Sequence, residues 1–124
     1  MNKREIERLI PIAIKAIRNN PKIYNSKEKI VPNEFTGYVS SFAVSITLSG
    51  VYQAIIFYRK ENSGAKFPRE EMIYEIEKMM KIDNLQTYLE KAPVTADFKE
   101  KLLEATIAFK SALQVFVLKK EIDS

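Results

Sequence analysis

The sequence predicts an all-α protein, a single compact bundle of about six helices that occupies residues 1–124 as one domain. Three observations predict this class. Apolar residues recur at helical spacing in most segments, most of the few prolines and glycines stand at the junctions between segments, and one central stretch lacks charge. That stretch runs from Phe35 to Tyr58, without an acid or a base in a chain that is 29% charged. We therefore expect a charge-free helical hairpin at the centre of the bundle.

The first helix is predicted to begin after Asn2, with Glu5 three residues later completing a capping box. Pro11 falls on its outer side and is expected to kink the helix or to mark a late start, because proline lacks the backbone N–H. The inner side carries a core stripe at helical spacing: Ile6, Ile10, Ala13 and Ile17.

The outer line of this helix is basic. Residues 1–31 hold eight Lys or Arg against three Glu, a net charge of +5, whereas residues 32–124 hold twelve against thirteen acids, a net charge of −1. Two interpretations stay open, namely a solvated face, which is usual for a charge run, or a track for nucleic-acid phosphates. In the second, Lys27 and Lys29 would add charge and Tyr24 would be available to stack on a base. The candidate nucleic-acid-binding residues are Arg4, Arg8, Lys15, Arg18 and Lys22.

The central stretch reads as two helices separated by Gly50, of which the first starts near Glu34. An apolar stripe marks the core side of the first: Phe35, Tyr38, Val39, Phe42 and Ile46. The opposite side is small or apolar, so we expect a neighbouring backbone to approach it closely: Gly37, Ser41, Val44 and Leu48. A strand pair over residues 44–55 is the competing interpretation. A membrane hairpin is disfavoured, because Gly50 cuts the run below the roughly 20 residues that span a bilayer.

Three further helices are predicted. One opens at Pro68 and runs to about Lys81 with a Met-rich core side, a short one is capped by Asp83, and the last, capped by Thr95, runs from about Ala96 to Lys120. The last helix has a broad core stripe: Phe98, Leu102, Ala105, Phe109, Ala112, Leu113 and Phe116. Its second apolar side is either buried because the helix is central, or docks another protein or a second copy of this chain. The candidate protein-interface residues there are Leu103, Ile107, Gln114 and Leu118.

The absence of Cys and His bounds the chemistry. It excludes disulfides, the usual zinc sites, thiol nucleophiles and imidazole catalysis, and three glycines make no phosphate-binding loop. No catalytic residue, metal ligand or cofactor is predicted. An enzyme using Glu34, Tyr38 and Ser41 stays an alternative, although no base would activate its hydroxyls. A helix-turn-helix reader would need a polar recognition face, which neither candidate helix carries. The amphipathic start is unlike a secretory signal, so a cytoplasmic location is expected.

The central stretch also carries a family resemblance. The run Tyr38-Val39-Ser40-Ser41-Phe42, followed by Ile46, Leu48-Ser49-Gly50-Val51 and Ala54-Ile55-Ile56-Phe57-Tyr58, is similar to the signature of the small subunit of type III-B CRISPR effector complexes, the Cmr small subunit. Residues 9–13 and 105–109 fit the layout of that family more loosely. One departure follows the Ala-Phe of the last helix, where similar proteins often have Trp-Leu and basic residues and this chain has Ala112-Leu113-Gln114-Val115.

The resemblance implies a non-catalytic subunit of an RNA-guided ribonucleoprotein in antiviral defence. Its partners would be the backbone and large subunits of the complex, guide RNA and target RNA, and copies of itself, with no membrane. It would contact RNA phosphates without sequence specificity, as a scaffold along the complex. Tyr38, Ser41, Gly50 and Phe57 are the matched positions, which we interpret as structural. A helical protein-protein adaptor with no nucleic-acid role stays the alternative.

Overall fold

A computed structural model describes residues 1–61 and 63–116, and in this part of the chain the secondary structure consists of six α-helices and no strand. The helices are α1 (Lys3–Arg18), α2 (Glu34–Ser49), α3 (Val51–Arg59), α4 (Glu70–Met80), α5 (Leu85–Lys91) and α6 (Ala96–Leu113). The predicted all-α bundle is therefore confirmed. No helix within the two described ranges combines the length and apolar character that a bilayer crossing demands.

Helix α6 is the centre of the bundle, because α1, α2 and α4 all pack against it. Leu102, Ala105 and Phe109 are fully buried, and every residue of its predicted core stripe is buried. The Met-rich side of α4 is also core, since Met72, Ile76 and Met79 are buried. Helical periodicity thus identified the inward sides of both helices.

Helices α2 and α3 form the predicted hairpin, and the strand interpretation of residues 44–55 is wrong. Gly50 alone joins the two helices, with φ +96° and ψ 158°, a backbone conformation that favours glycine. Helix α3 folds back onto the core side of α2, where the rings of Phe42 and Tyr58 meet edge to face with centroids 5.4 Å apart.

The small-residue side of α2 is not covered, contrary to the sequence prediction. No neighbouring atom lies within 4 Å of the place where a Gly37 Cβ would stand. Ser41, Val44 and Leu48 are exposed along the same side. The physical reason is that α3 packs on the aromatic side of α2, which buries more apolar surface than the small side offers.

Two helix boundaries also differ from prediction. Asn84, not Asp83, caps α5, because its Oδ1 accepts the Thr87 N–H at 2.9 Å. Helix α6 begins at the predicted Thr95 cap but ends at Leu113 instead of reaching Lys120. Residues 114–116 continue as a turn, in which the Phe116 N–H bonds to the Leu113 carbonyl at 2.9 Å. The Phe116 carbonyl accepts the Val31 N–H at 3.0 Å, and its ring meets the Tyr24 ring with centroids 5.1 Å apart.

Candidate nucleic-acid interface

Helix α1 displays the predicted cations on a rigid support. Leu9, Ala13 and Ile17 are buried inward, with Leu9 an addition to the predicted stripe, whose Ile6 and Ile10 are partly buried against the core. The opposite side therefore faces solvent. It carries the four α1 candidates, all of them exposed, and Lys22 is exposed in the turn that follows: Arg4, Arg8, Lys15, Arg18 and Lys22.

Of the two hydrogen bonds of the predicted capping box at the start of α1, one forms and the other does not. Asn2 Oδ1 accepts the backbone N–H groups of Arg4 and Glu5, at 3.0 and 3.1 Å, as a cap should. The Asn2 N–H, however, donates to Glu104 Oε2 of α6 at 2.9 Å and not to Glu5. The helix runs from Lys3 through Pro11 to Arg18, so the predicted late start at Pro11 is wrong. Pro11 is exposed on the outer side. The long-range bond to Glu104 ties the basic helix to the centre of the bundle.

The five cations are not equally free. Arg8 donates from Nε and a terminal nitrogen to the two carboxylate oxygens of Glu5, at 3.0 and 2.6 Å, so an acid does flank the basic line. This hydrogen-bonded pairing lowers the pKa of Glu5 and raises the pKa of Arg8. Within residues 1–61 and 63–116, neither Arg4 nor Lys15 forms an ion pair. Those two offer the least compensated positive charge on α1.

The other two cations are anchored at the C-terminal end of α1. The Arg18 guanidinium lies 5.4 Å from the centre of the Phe116 ring, and Lys22 Nζ lies 3.7 Å from Glu71 Oε2. Both side chains remain exposed. A cation on an aromatic ring or beside one carboxylate keeps its charge and can still meet a phosphate.

A buried polar cluster fixes the turn that carries Lys22. The Asn20 amide group donates to Glu71 Oε1 at 3.0 Å and to Glu75 Oε2 at 2.6 Å, and its Oδ1 accepts the Lys22 N–H at 2.9 Å. Asn20, Glu71 and Glu75 are all buried. Nothing in the sequence signalled this cluster, because its members are about fifty residues apart and such polar residues are usually exposed.

Tyr24 is not available for base stacking. It is half-buried, packs against the core and meets Phe116 edge to face. Lys27 and Lys29 are exposed in the turn that follows. The loop after α1 therefore contributes charge to this surface and no stacking platform.

The predicted protein-interface residues lie at different depths. Leu103 is partly buried and packs against the core, Ile107 is half-buried, and Gln114 is exposed just after α6. Leu118 lies outside the described residues. The more exposed uncharged surface is instead the outer side of α2, where Leu48 is 79% and Val44 55% exposed. The charge-free run signalled this surface in the sequence, but the prediction that a neighbouring backbone covers it was wrong.

The hydroxyls considered for catalysis have other surroundings. The Tyr38 hydroxyl accepts the Phe67 N–H at 3.2 Å, Glu34 forms an ion pair with Lys66 at 3.6 Å, and Ser41 is exposed. Among the described residues, no group of three or more acidic side chains comes together in a way that could hold a metal ion.

The class that fold and surface define is a small helical bundle with one basic helix face. Comparisons with protein-family models, curated proteins and solved structures give no match. The resemblance to the Cmr small subunit stays a prediction.

Proposed function

We propose that this chain is a non-catalytic small subunit of an RNA-guided CRISPR effector complex of type III-B, acting in the cytoplasm in antiviral defence. It stacks along the complex beside the backbone and large subunits and beside copies of itself. Its role is to neutralise phosphates of guide and target RNA without reading the bases.

The observation that carries the proposal is the outward side of α1. Arg4 and Arg18 stand fourteen residues apart, so the line of cations extends about 21 Å along a straight helix. A duplex strand presents roughly six phosphates over that length. Because the helix is held by three buried side chains and by the bond to Glu104, the cations are positioned without any cost of ordering a loop.

The proposal also draws on the matched family positions. Two of these positions support the structural interpretation. The Tyr38 hydroxyl accepts the Phe67 N–H, and Gly50 has a positive φ at the junction of α2 and α3. The Arg69 guanidinium lies over the Phe57 ring, 4.4 Å from the ring centre. Ser41 is exposed and leaves room for a neighbouring subunit on α2.

The test is RNA binding by the purified chain across a salt series. The variant Arg4→Glu/Lys15→Glu removes the two least compensated cations of α1. The expected result is weaker binding of a short RNA duplex, with the slope of log affinity against log salt reduced by about one for each lost contact.

The control is Lys60→Glu/Lys66→Glu, which makes the same charge change at exposed positions outside α1. Because Lys66 forms an ion pair with Glu34, a thermal melt first establishes that this variant is folded. It should bind nearly as well as the parent. Equal losses in both variants would mean that net charge alone governs binding, and the α1 interface would be rejected. Co-purification of a tagged copy with effector subunits and guide-sized RNA tests the assembly directly.

A helical adaptor that binds only protein is the second candidate. The exposed, uncharged side of α2 favours it, since a contiguous surface of small and apolar residues suits a protein partner. It predicts that Arg4→Glu/Lys15→Glu leaves assembly intact, whereas charging Leu48 disrupts it.

A further inference from the structure

A second surface with exposed lysines lies beyond the C-terminal end of α4 and uses residues that the proposed function leaves aside. A cavity of about 440 Å³ is lined by α5 and by the segment that joins α4 to α5. The lining residues that matter for its chemistry are Lys81, Asp83, Tyr88 and Lys91. Their combination of one aromatic ring, two cations and one acid is suited to a nucleotide.

Tyr88 is a fixed aromatic platform. Its ring stacks on Phe98 of α6 with centroids 5.3 Å apart and an interplanar angle of 21°. Phe98 is 9% exposed, whereas Tyr88 is 44% exposed. Because Phe98 covers one face of the Tyr88 ring, the exposed area belongs to the other face and the edges. An aromatic face held in this way by a buried ring is the element on which unpaired bases stack.

The two lysines flank this platform and are free to meet phosphates. Within residues 1–61 and 63–116, neither Lys81 nor Lys91 forms an ion pair. Lys81 ends α4 in the left-handed conformation, φ 60° and ψ 40°, where glycine is the usual residue. Its backbone is fixed there, since the Lys81 N–H bonds to the Lys78 carbonyl and the Ile82 N–H to the Glu77 carbonyl, both at 3.0 Å.

Lys81 also connects this cavity to the basic helix. It lines a second cleft, of about 210 Å³, together with Arg8 of α1 and Lys101 of α6. Lys101 is exposed and its charge acts on Glu5 of α1. The same cleft is also lined by Glu5 and Glu104, so Lys81 joins the two lined surfaces through a region that holds three cations and two acids.

We infer that the cavity binds one unpaired nucleotide of a single-stranded RNA segment, with its base on Tyr88 and its flanking phosphates on Lys81 and Lys91. This inference rests on the proposed RNA role and adds to it a distinct ligand, an unpaired base, at a second surface. Asp83 offers only acceptor oxygens at the rim, so it favours a base with an exocyclic amino group over uracil, whose one donor, N3–H, lies between two carbonyl oxygens that repel a carboxylate.

The experiment measures binding of labelled 12-nucleotide oligo(C), oligo(U) and a 12-base-pair RNA duplex by fluorescence anisotropy at low salt. Tyr88→Leu should weaken oligo(C) binding roughly 5- to 150-fold, the range for loss of one base–aromatic stack, and leave duplex binding unchanged. Tyr88→Phe should retain most of the affinity. Phe57→Leu is the matched control, because Phe57 is also exposed but Arg69 covers its ring.

Lys81→Gly separates binding from folding. It removes a cation while placing the preferred residue at a left-handed position, so the variant should melt at the same or a higher temperature yet bind oligo(C) more weakly. Asp83→Asn should abolish the preference for oligo(C) over oligo(U), because the amide can also donate to the uracil carbonyl.

The outcomes distinguish the two proposals. Unchanged oligo(C) affinity in both Tyr88→Leu and Lys81→Gly, with a loss in Arg4→Glu/Lys15→Glu, would overturn the cavity site and leave the α1 interface standing. No binding of any RNA by the parent protein would overturn both.

Discussion

The outer sides of α1 and α2 differ in chemistry although the two helices are built alike. Each has sixteen residues and buries an apolar stripe inward. Outward, α1 carries Arg4, Lys15 and Arg18, whereas α2 carries Val44 and Leu48 without a charge. The need to bury apolar surface explains the residue types on the inward sides of both helices, but it does not explain those on the outward sides. The proposed function uses this difference: it assigns a polyanion to α1, and the adaptor alternative assigns an uncharged protein surface to α2.

The largest expected effect comes from breaking α2 on its inward side. Phe42 is fully buried and contacts Tyr58, so Phe42→Ala should lower the free energy of unfolding by about 3–5 kcal/mol through lost transfer energy and the cavity left behind. On the outward side, Leu48→Ala should change it by less than about 0.5 kcal/mol. Urea denaturation measures both as shifts in midpoint. Similar costs for the two variants would refute the assignment of inward and outward sides.

The next effect is expected at the buried polar cluster that supports the end of α1. Asn20→Ala leaves Glu71 and Glu75 buried without their shared donor and should cost about 2–3 kcal/mol of unfolding free energy. Asn19→Ala, at the exposed neighbouring position, is the control and should cost less than half of that. Thermal melts of the two variants compare these losses of stability. An unchanged melting temperature in Asn20→Ala would show that water replaces the amide as donor to Glu71 and Glu75.

Sequence periodicity was sufficient for the fold because burial of apolar stripes dominates its energetics. The predictions for Gly50, for the Thr95 cap and for the core side of α6 are confirmed, and each depends on residues close in sequence. The turn over residues 114–116 was missed, because the partners of Phe116, namely Tyr24 and Val31, lie some ninety residues away in the sequence. A local sequence pattern does not reveal such contacts with distant residues, so it overestimates the length of the helix.

The candidate surface was predictable only in part. Four exposed cations of α1 follow from the same periodicity as its core stripe. The pairing of Arg8 with Glu5 could have been found, since residues three apart on a helix are neighbours. The cavity at Tyr88 could not, because it depends on how α5 packs against Phe98 and on the left-handed backbone of Lys81.

A charge exchange sharpens the comparison between the two helices at little cost in stability. The double variant Lys15→Leu/Leu48→Lys keeps the net charge at +4 and moves one cation from α1 to α2. Both positions are exposed, so the unfolding free energy should change by less than about 0.5 kcal/mol per site. Binding of duplex RNA should weaken, with the salt slope reduced by about one. Unchanged binding would mean that net charge, and not the placement of cations on α1, sets the affinity.

The smallest effect concerns the one compensated cation of α1. Hydrogen bonds from the Arg8 guanidinium, and next the charges of Arg8 and Lys101, hold the pKa of Glu5 below its ordinary value. Arg8→Gln should raise that pKa towards the ordinary value, as an NMR titration of the Glu5 carboxyl would record. Because the folded-state pKa is lowered, the stabilisation is present above the ordinary glutamate pKa and is lost as the pH falls through the lowered value. The parent should therefore lose slightly more stability than Arg8→Gln on acidification. An unshifted Glu5 titration in the parent would show that Arg8 is not held by Glu5, and Arg8 would then join Arg4 and Lys15 as an uncompensated cation of α1.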